Sequence, residues 1–287
     1  MFRLVCLDVD GTLVDTNMKI PPQVVKALMR LQTHGTLITL ASGRHLPSLR
    51  EYACLIGTKA PLIAFNGAWI QCYNQDRYKH MQCWPLNRSF IPSIIEDAEQ
   101  IGMDVNLYFS NRIVLRRNHK SQDQNLWAKS LWRMEKVPVR VVESWPLMSS
   151  IFSSDSDALG SLMKILISGR PEEIIKLLGH YIDHYPVDYH FVLSGDRYLE
   201  VGDKHATKGQ ALQTIAQHLG ISRSDIMAVG DHYNDMSMLE YAGFGVAMGN
   251  APSIVQQKAD WVTTKNTEMG VLKALARVFG DWVLRNL

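Results

Sequence analysis

The stretch Leu4-Val5-Cys6-Leu7-Asp8-Val9-Asp10-Gly11-Thr12 constrains this chain more than any other. An apolar run of strand length ends in two carboxylates spaced i, i+2, followed by a glycine and a hydroxyl. Within a continuing strand those acids would share one face, but Gly11 lets the backbone turn sharply just past the second. Open α/β sheets place their ligands at the C-terminal ends of strands, which is where both acids fall. Like charges this close repel, so the pair calls for a cation or a shared proton. A hard Mg²⁺, which takes carboxylate, carbonyl and water oxygens, meets that need. Taken alone, the Asp-Gly step reads equally well as a hairpin turn. The rest of the chain has to decide.

The residues that follow alternate between two periodicities. Pro21-Pro22 opens a helix whose Val24, Val25, Leu28 and Leu31 form an apolar stripe, and Gly35 stops it. Thr36 to Leu40 is apolar and β-branched without alternation, the pattern of a fully buried strand. It ends in Ala41-Ser42-Gly43-Arg44, a second helix follows, and Leu62 to Phe65 reads as a third strand ending in Asn66-Gly67. Strand, helix, strand, helix, strand at this spacing predicts a parallel sheet with crossover helices.

From about Trp84 strands outnumber helices, which predicts a separate α+β unit spliced into the first. It comprises a helix over Ile91–Ile101, paired strands at Val105–Phe109 and Ile113–Leu115, and a helical stretch near Leu126–Met134. Val137–Val142 follows, then an irregular Pro/Ser/Asp segment from Trp145 to Gly160. A strand at Leu162–Ile167, a helix from Pro171 and a strand at Val187–Val192 complete it. The parallel pattern resumes near Tyr198–Val201. Lys208-Gly209 then starts a helix, Ile226–Val229 forms a strand ending in Gly230-Asp231, and Asn234-Asp235 opens another helix. The expected division is residues 1–83 with 195–287 as one parallel-sheet core, and 84–194 as an insert.

At 287 residues the chain has room for both units. A hydrophobic share of 46% and a charged share of 20% suit a soluble globular protein with a full core. A formal charge of +2 without a Lys/Arg block argues against a nucleic-acid partner. No apolar run approaches membrane-spanning length, and Asp8 arrives too early for a signal peptide. Cys6, Cys54, Cys72 and Cys83 show no CxxC or ligand spacing, so they are expected to be reduced thiols in a cytoplasmic protein.

Four features fall at strand ends or a helix start: Asp8/Asp10, Ser42-Gly43, Lys208 and Asp231-Asn234-Asp235. Each has a structural reading: an N-cap at Ser42, a solvated first-turn lysine at 208, a helix-dipole partner at Asp235. A lysine has the wrong sign for a helix N-terminus, however, which hints at an anion beside it. Together they suggest phosphoryl transfer, in which a carboxylate attacks phosphorus while Mg²⁺, a lysine and small donors hold the spread charge. A second acid two residues on can protonate the leaving oxygen and later deprotonate water.

In these residues the sequence resembles the haloacid dehalogenase superfamily, and its Cof-type phosphatases in particular. The motifs run in order: Asp8-Val9-Asp10-Gly11-Thr12, Ser42-Gly43-Arg44, Lys208-Gly209, and Gly230-Asp231-His232-Tyr233-Asn234-Asp235. Asn66-Gly67-Ala68, Gly249-Asn250-Ala251 and Ala259-Asp260-Trp261-Val262-Thr263 look like the Cof type. The resemblance implies a Rossmann-like core with a type IIB α/β cap at 84–194 that sets substrate specificity. It implies that Asp8 is the nucleophile and a metal ligand, and that Asp10 is the acid/base, giving Mg²⁺ its backbone carbonyl. Asp231 would be a further metal ligand supported by Asp235, and Val9 N–H, Ser42, Gly43, Lys208 and Asn234 would hold phosphate. The implied activity is Mg²⁺-dependent hydrolysis of small phosphorylated metabolites through an aspartyl-phosphate, in a monomer or weak homo-oligomer. A phosphomutase on the same core and a non-catalytic phosphoaspartate switch are the alternatives. Trp127, Trp132, Tyr108 and Phe109 either line a pocket of the insert or fill its core.

Overall fold

The opening apolar run forms β1 (Leu4–Asp8), with all five residues buried. The computed structural model describes residues 2–74, 77–87, 89–116, 124–145, 160–185 and 188–285. After one tight turn at Val9–Leu13 comes α1 (Pro22–Thr33), with proline in its first turn, where a missing N–H costs nothing. Its Val24, Ala27, Leu28 and Leu31 are buried at helical spacing. β2 (Leu37–Ala41), α2 (Leu46–Ile56) and β3 (Leu62–Ala64) continue the expected alternation. The chain then leaves it, because β4 (Trp69–Asn74) and β5 (Arg77–Cys83) add an antiparallel hairpin to β3. The sequence gives no warning of β5. Arg-Tyr-Lys-His-Met-Gln-Cys lacks apolar alternation, and its pairing comes from β4.

The second unit contains α3 (Ile91–Gln100), β6 (Asp104–Phe109), β7 (Arg112–Arg116), α4 (Gln124–Glu135) and β8 (Val139–Val142). It continues with β9 (Leu162–Ser168), α5 (Pro171–His184), β10 (Tyr189–Leu193) and β11 (Tyr198–Asp203). Its six strands run in the order β10-β11-β9-β6-β7-β8. Odd-numbered residues of β6, β9 and β11 (Val105, Leu107, Ile165, Ile167, Leu199, Val201) share a core with Ile94 of α3 and Ile174, Leu177 and Tyr181 of α5. Even-numbered neighbours carry a buried ion pair, Lys164 Nζ to Glu200 Oε2 at 2.9 Å. Tyr108 and Phe109 are buried, Trp132 is exposed, and Trp127 lines a cavity of about 240 Å³ with Asn106, Arg116 and Arg197. Most of the irregular Pro/Ser/Asp segment, residues 146–159, lies outside the described residues, as does Val187.

β11 corrects the sequence reading. Tyr198–Val201 is not the return of the parallel core. The strand pairs antiparallel with β10 and β9 inside the second sheet. A short apolar run carries no sign of strand direction, so the sequence could not assign it to a sheet. The chain divides into compact units at Met1–Cys83 with Thr207–Leu287, and Trp84–Ala206, so the second boundary falls after Ala206 rather than Ser194.

The first unit resumes with α6 (Lys208–Leu219), β12 (Ile226–Gly230), α7 (Met236–Tyr241), β13 (Phe244–Ala247), α8 (Ser253–Lys258), β14 (Trp261–Val262) and α9 (Gly270–Phe279). Its sheet order is β14-β13-β12-β1-β2-β3-β4-β5. The strands from β14 to β3 are parallel, which gives the Rossmann-like layout the sequence predicts. β1 sits between β12 and β2, both buried, and so is enclosed on each side.

Candidate active site

Register brings the predicted residues together. Asp8 pairs with Ala41 of β2, and Leu7 with Val229 of β12, so Asp8, Ser42 and Asp231 emerge side by side at one edge of the first unit's sheet. Lys208 joins them as the first residue of α6, whose N-cap Thr207 accepts from Gln210 N at 3.1 Å.

Lys208 is fully buried. Its Nζ donates to Asp8 Oδ1 at 2.7 Å and to Asp235 Oδ1 at 2.5 Å. Burial pushes its pKa down, but the charges of Asp235 and Asp8 outweigh that and hold it above the usual lysine value. It is an ammonium locked between carboxylates, which excludes the solvated-lysine reading. Both oxygens of Asp235 are committed, because Oδ2 accepts from the N–H groups of Asp231 and His232 at 2.8 and 2.9 Å. Asp235 therefore braces the turn that presents Asp231.

Asp231 accepts from Thr12 Oγ1 at 2.9 Å and from Asn250 Nδ2 at 3.0 Å. Gly11 is required beside it, with φ 80° and a position where a Cβ would lie 2.3 Å from Asp231 Oδ2. Asp10 makes a separate pair. Its carboxylate, half exposed, takes two bonds from the buried guanidinium of Arg44, Nε at 2.7 Å and Nη2 at 2.5 Å. Ser42 is buried, with its carbonyl accepting from Asn66 N at 3.0 Å. Val9 directly follows β1, and Gly43 is half-buried in the loop after β2. Asn234 Nδ2 donates to Asn66 Oδ1 at 3.1 Å.

One polar atom is conspicuous. Asp8 Oδ2 is buried and has no hydrogen-bond partner. Carboxylate oxygens of Asp8, Asp231 and Asp235 lie within 4.8 Å of one another. Burial and then the charge of Asp235 hold the Asp8 carboxyl well above the usual range, and the same two causes push Asp231 up to about 7. An all-oxygen donor set with surplus negative charge and an unsatisfied buried oxygen fits a hard divalent cation. Asp235 takes three hydrogen bonds, one of them from the Lys208 ammonium, whereas Asp8 keeps an oxygen with none and Asp231 accepts only two from neutral donors, so Asp8 and Asp231 are the better placed to hold one.

Sequence reasoning assigned no role to Thr12, Arg44, Asn66 or Asn250. All four lie inside stretches it singled out, but their partners are remote in sequence, such as Asn250 with Asp231 or Arg44 with Asp10. Only the folded register reveals those pairs.

A parallel α/β unit interrupted in sequence by an α+β unit, with carboxylates at its strand ends around a buried lysine, defines a hydrolase of the phosphatase kind. The chain belongs to the haloacid dehalogenase-like hydrolases, whose family pattern it matches over residues 5–275. It is 28% identical over 285 residues to the 5-amino-6-(5-phospho-D-ribitylamino)uracil phosphatase YcsE of Bacillus subtilis, covering 98% of this chain and 96% of that one. It is 24% identical over 267 residues to the pyridoxal phosphate phosphatase YbhA of Escherichia coli, covering 92% and 94%. The fold is shared with a solved subclass IIB sugar phosphatase of the same superfamily, at TM-score 0.78 and 23% identity over 97% of this chain and 99% of that one.

Proposed function

We propose that this chain hydrolyses phosphate monoesters of small metabolites through a phosphoaspartate on Asp8, with Mg²⁺ held by Asp8, Asp231 and the backbone carbonyl of Asp10. The unpartnered, buried Oδ2 of Asp8 beside the Lys208 ammonium is the observation that carries this reading. Mg²⁺ supplies charge neutralisation for the phosphoryl oxygens. Val9 N–H, Ser42, Gly43, Lys208 and Asn234 are the phosphate donors, which act where charge spreads in the transition state. An Asp8 oxygen forms the bond to phosphorus as the ester P–O bond breaks, and Asp10 gives its proton to the departing oxygen. Water then attacks the phosphoaspartate, its proton passes to Asp10, and inorganic phosphate leaves with the Asp8 carboxylate restored.

The relatives named above act on a phosphoribityl compound and on pyridoxal phosphate, which supports a compact organic phosphate as substrate. The insert is the part expected to choose among such compounds. The proposed setting is the cytoplasm, in line with the thiols of Cys6, buried, and Cys54, exposed, neither of which is in a disulfide. No helix among the described residues is long and apolar enough to cross a membrane. The proposed state is a monomer or weak homo-oligomer, without a nucleic-acid partner, in line with the formal charge of +2.

The roles of the two acids separate experimentally. Asp8→Asn should abolish turnover and take up no covalent phosphate. Asp10→Asn should turn over poorly, yet with acetyl phosphate, whose leaving group needs little protonation, it should accumulate hydroxylamine-labile phosphate on Asp8. Label mapping to Asp10 or Asp231, or equal trapping in both variants, would overturn the assignment. Free phosphate released without an activating bisphosphate distinguishes the phosphatase from a mutase.

A further inference from the structure

The turn that ends β3 holds two consecutive non-glycine residues in left-handed backbone, Phe65 at φ 49° and Asn66 at φ 55°. Such conformations are sparsely populated by non-glycine residues, and persist only where the surroundings fix them. Here three separate segments do the fixing. Phe65 N donates to the Arg44 carbonyl at 3.2 Å, and Asn66 N to the Ser42 carbonyl at 3.0 Å. Gly67 lies so close to Thr207, the cap of the Lys208 helix, that a Cβ would stand 2.3 Å from its carbonyl oxygen. The Asn66 side chain, buried, accepts from Asn234. One turn with no role in the chemistry so far thus touches the Ser42 loop, the Lys208 helix and Asn234.

Turn geometry alone does not account for asparagine. Glycine adopts left-handed backbone at lower cost, so position 66 accepts strain and gains a side-chain amide. That amide governs its partner. With Nδ2 of Asn234 against Asn66 Oδ1, rotating the Asn234 amide by half a turn would set two carbonyl oxygens face to face. The Asn234 amide is thereby confined to one orientation, with one N–H spent on Asn66, a second N–H left to donate, and a buried Oδ1 that has no partner.

We propose that Asn66 is a positioning residue that aims the second N–H of Asn234 at a phosphoryl oxygen. This rests on the phosphate-binding role of Asn234 in the function proposed above. Orientation fixed before binding spares an ordering cost that a freely rotating amide would incur with each substrate.

The test compares wild type, Asn66→Gly, Asn234→Ala and the double variant, reading kcat/KM with p-nitrophenyl phosphate, inhibition by inorganic phosphate, and Tm. Asn66→Gly should keep or raise Tm, because it relieves the left-handed strain. It should lower kcat/KM about tenfold, the scale of one lost hydrogen bond, and weaken phosphate inhibition. In the Asn234→Ala background, Asn66→Gly should cost no more than about twofold further, the signature of acting through that residue. Wild-type kcat/KM in Asn66→Gly overturns the proposal, as do losses that multiply in the double variant. A Tm that falls along with activity also overturns it, by making the turn rather than the amide responsible. An inactive wild type sinks the proposed function and this inference together; an active wild type with an indifferent Asn66→Gly sinks this one alone.

Discussion

Lys208 shows how much a single buried charge can settle. Its ammonium sits between Asp8 and Asp235 with no solvent contact, so its removal leaves two carboxylates facing each other in a low-dielectric site. Lys208→Ala should lower kcat by about 10²-fold or more, the scale of losing one preorganised donor. It should also destabilise the fold by roughly 3–5 kcal/mol, as breaking a buried pair does. A rate within twofold of wild type, or an unchanged Tm, would contradict the geometry. Arg44 acts at the other acid. Its two bonds to Asp10 fix the direction of that carboxylate, so Arg44→Ala should slow sugar-phosphate hydrolysis far more than acetyl phosphate hydrolysis. Equal slowing of both substrates would separate Arg44 from the protonation step.

At the scale of elements, the parallel strands and crossover helices were legible because each is buried on both faces or along one stripe, and burial leaves an apolar signature. The residues of the candidate site stood out for a related reason, since acids, a hydroxyl and a lysine at strand ends or a helix start are out of place chemically. β5, and the sheet to which β11 belongs, were not legible. One has no alternation, and the other has an apolar run without direction, so partner strands decide both. Close approach between elements was equally invisible, and it yields a paired prediction. Gly67→Ala combines φ 112° with a methyl driven into the Thr207 carbonyl, so it should displace the start of α6 and lose activity together with about 2 kcal/mol or more of stability. Gly35→Ala, at φ 89° with nothing within 4 Å of the added methyl, should cost about 1 kcal/mol and leave kcat untouched. Equal effects on activity would remove Gly67 from the site's scaffolding.

For the molecule as a whole, the raised carboxyls link stability to pH. The folded protein binds protons on Asp231 up to about pH 7, and on Asp8 above the usual carboxylate range, whereas the unfolded chain releases them near 3.8. The folded state therefore holds more protons across that window, and stability of the metal-free protein falls as pH rises through it. Saturating Mg²⁺, which favours the ionised carboxylates, should flatten or reverse the slope. Tm measured from pH 5 to 8 in chelator and in Mg²⁺ checks this, and a flat chelator profile would count against it. Specificity is the other whole-molecule property. Replacing residues 84–206 by the corresponding unit of a relative should change the preferred substrate while aryl phosphates remain accepted; an unchanged preference would move specificity into the first unit.

The sheet order has a consequence for how the protein is made. β1 is completed by β12, more than two hundred residues later, and Asp8 is held by Lys208 across a similar separation. While the ribosome is still extending the chain, one edge of this fully buried strand waits unpaired, with the whole insert free to fold first. Contacts of such long sequence separation slow folding, and an exposed apolar edge invites pairing with other chains. A nascent chain arrested before Ile226 should hold a folded insert beside an unfinished sheet that captures chaperones, and catalysis should switch on only once the last third has been released.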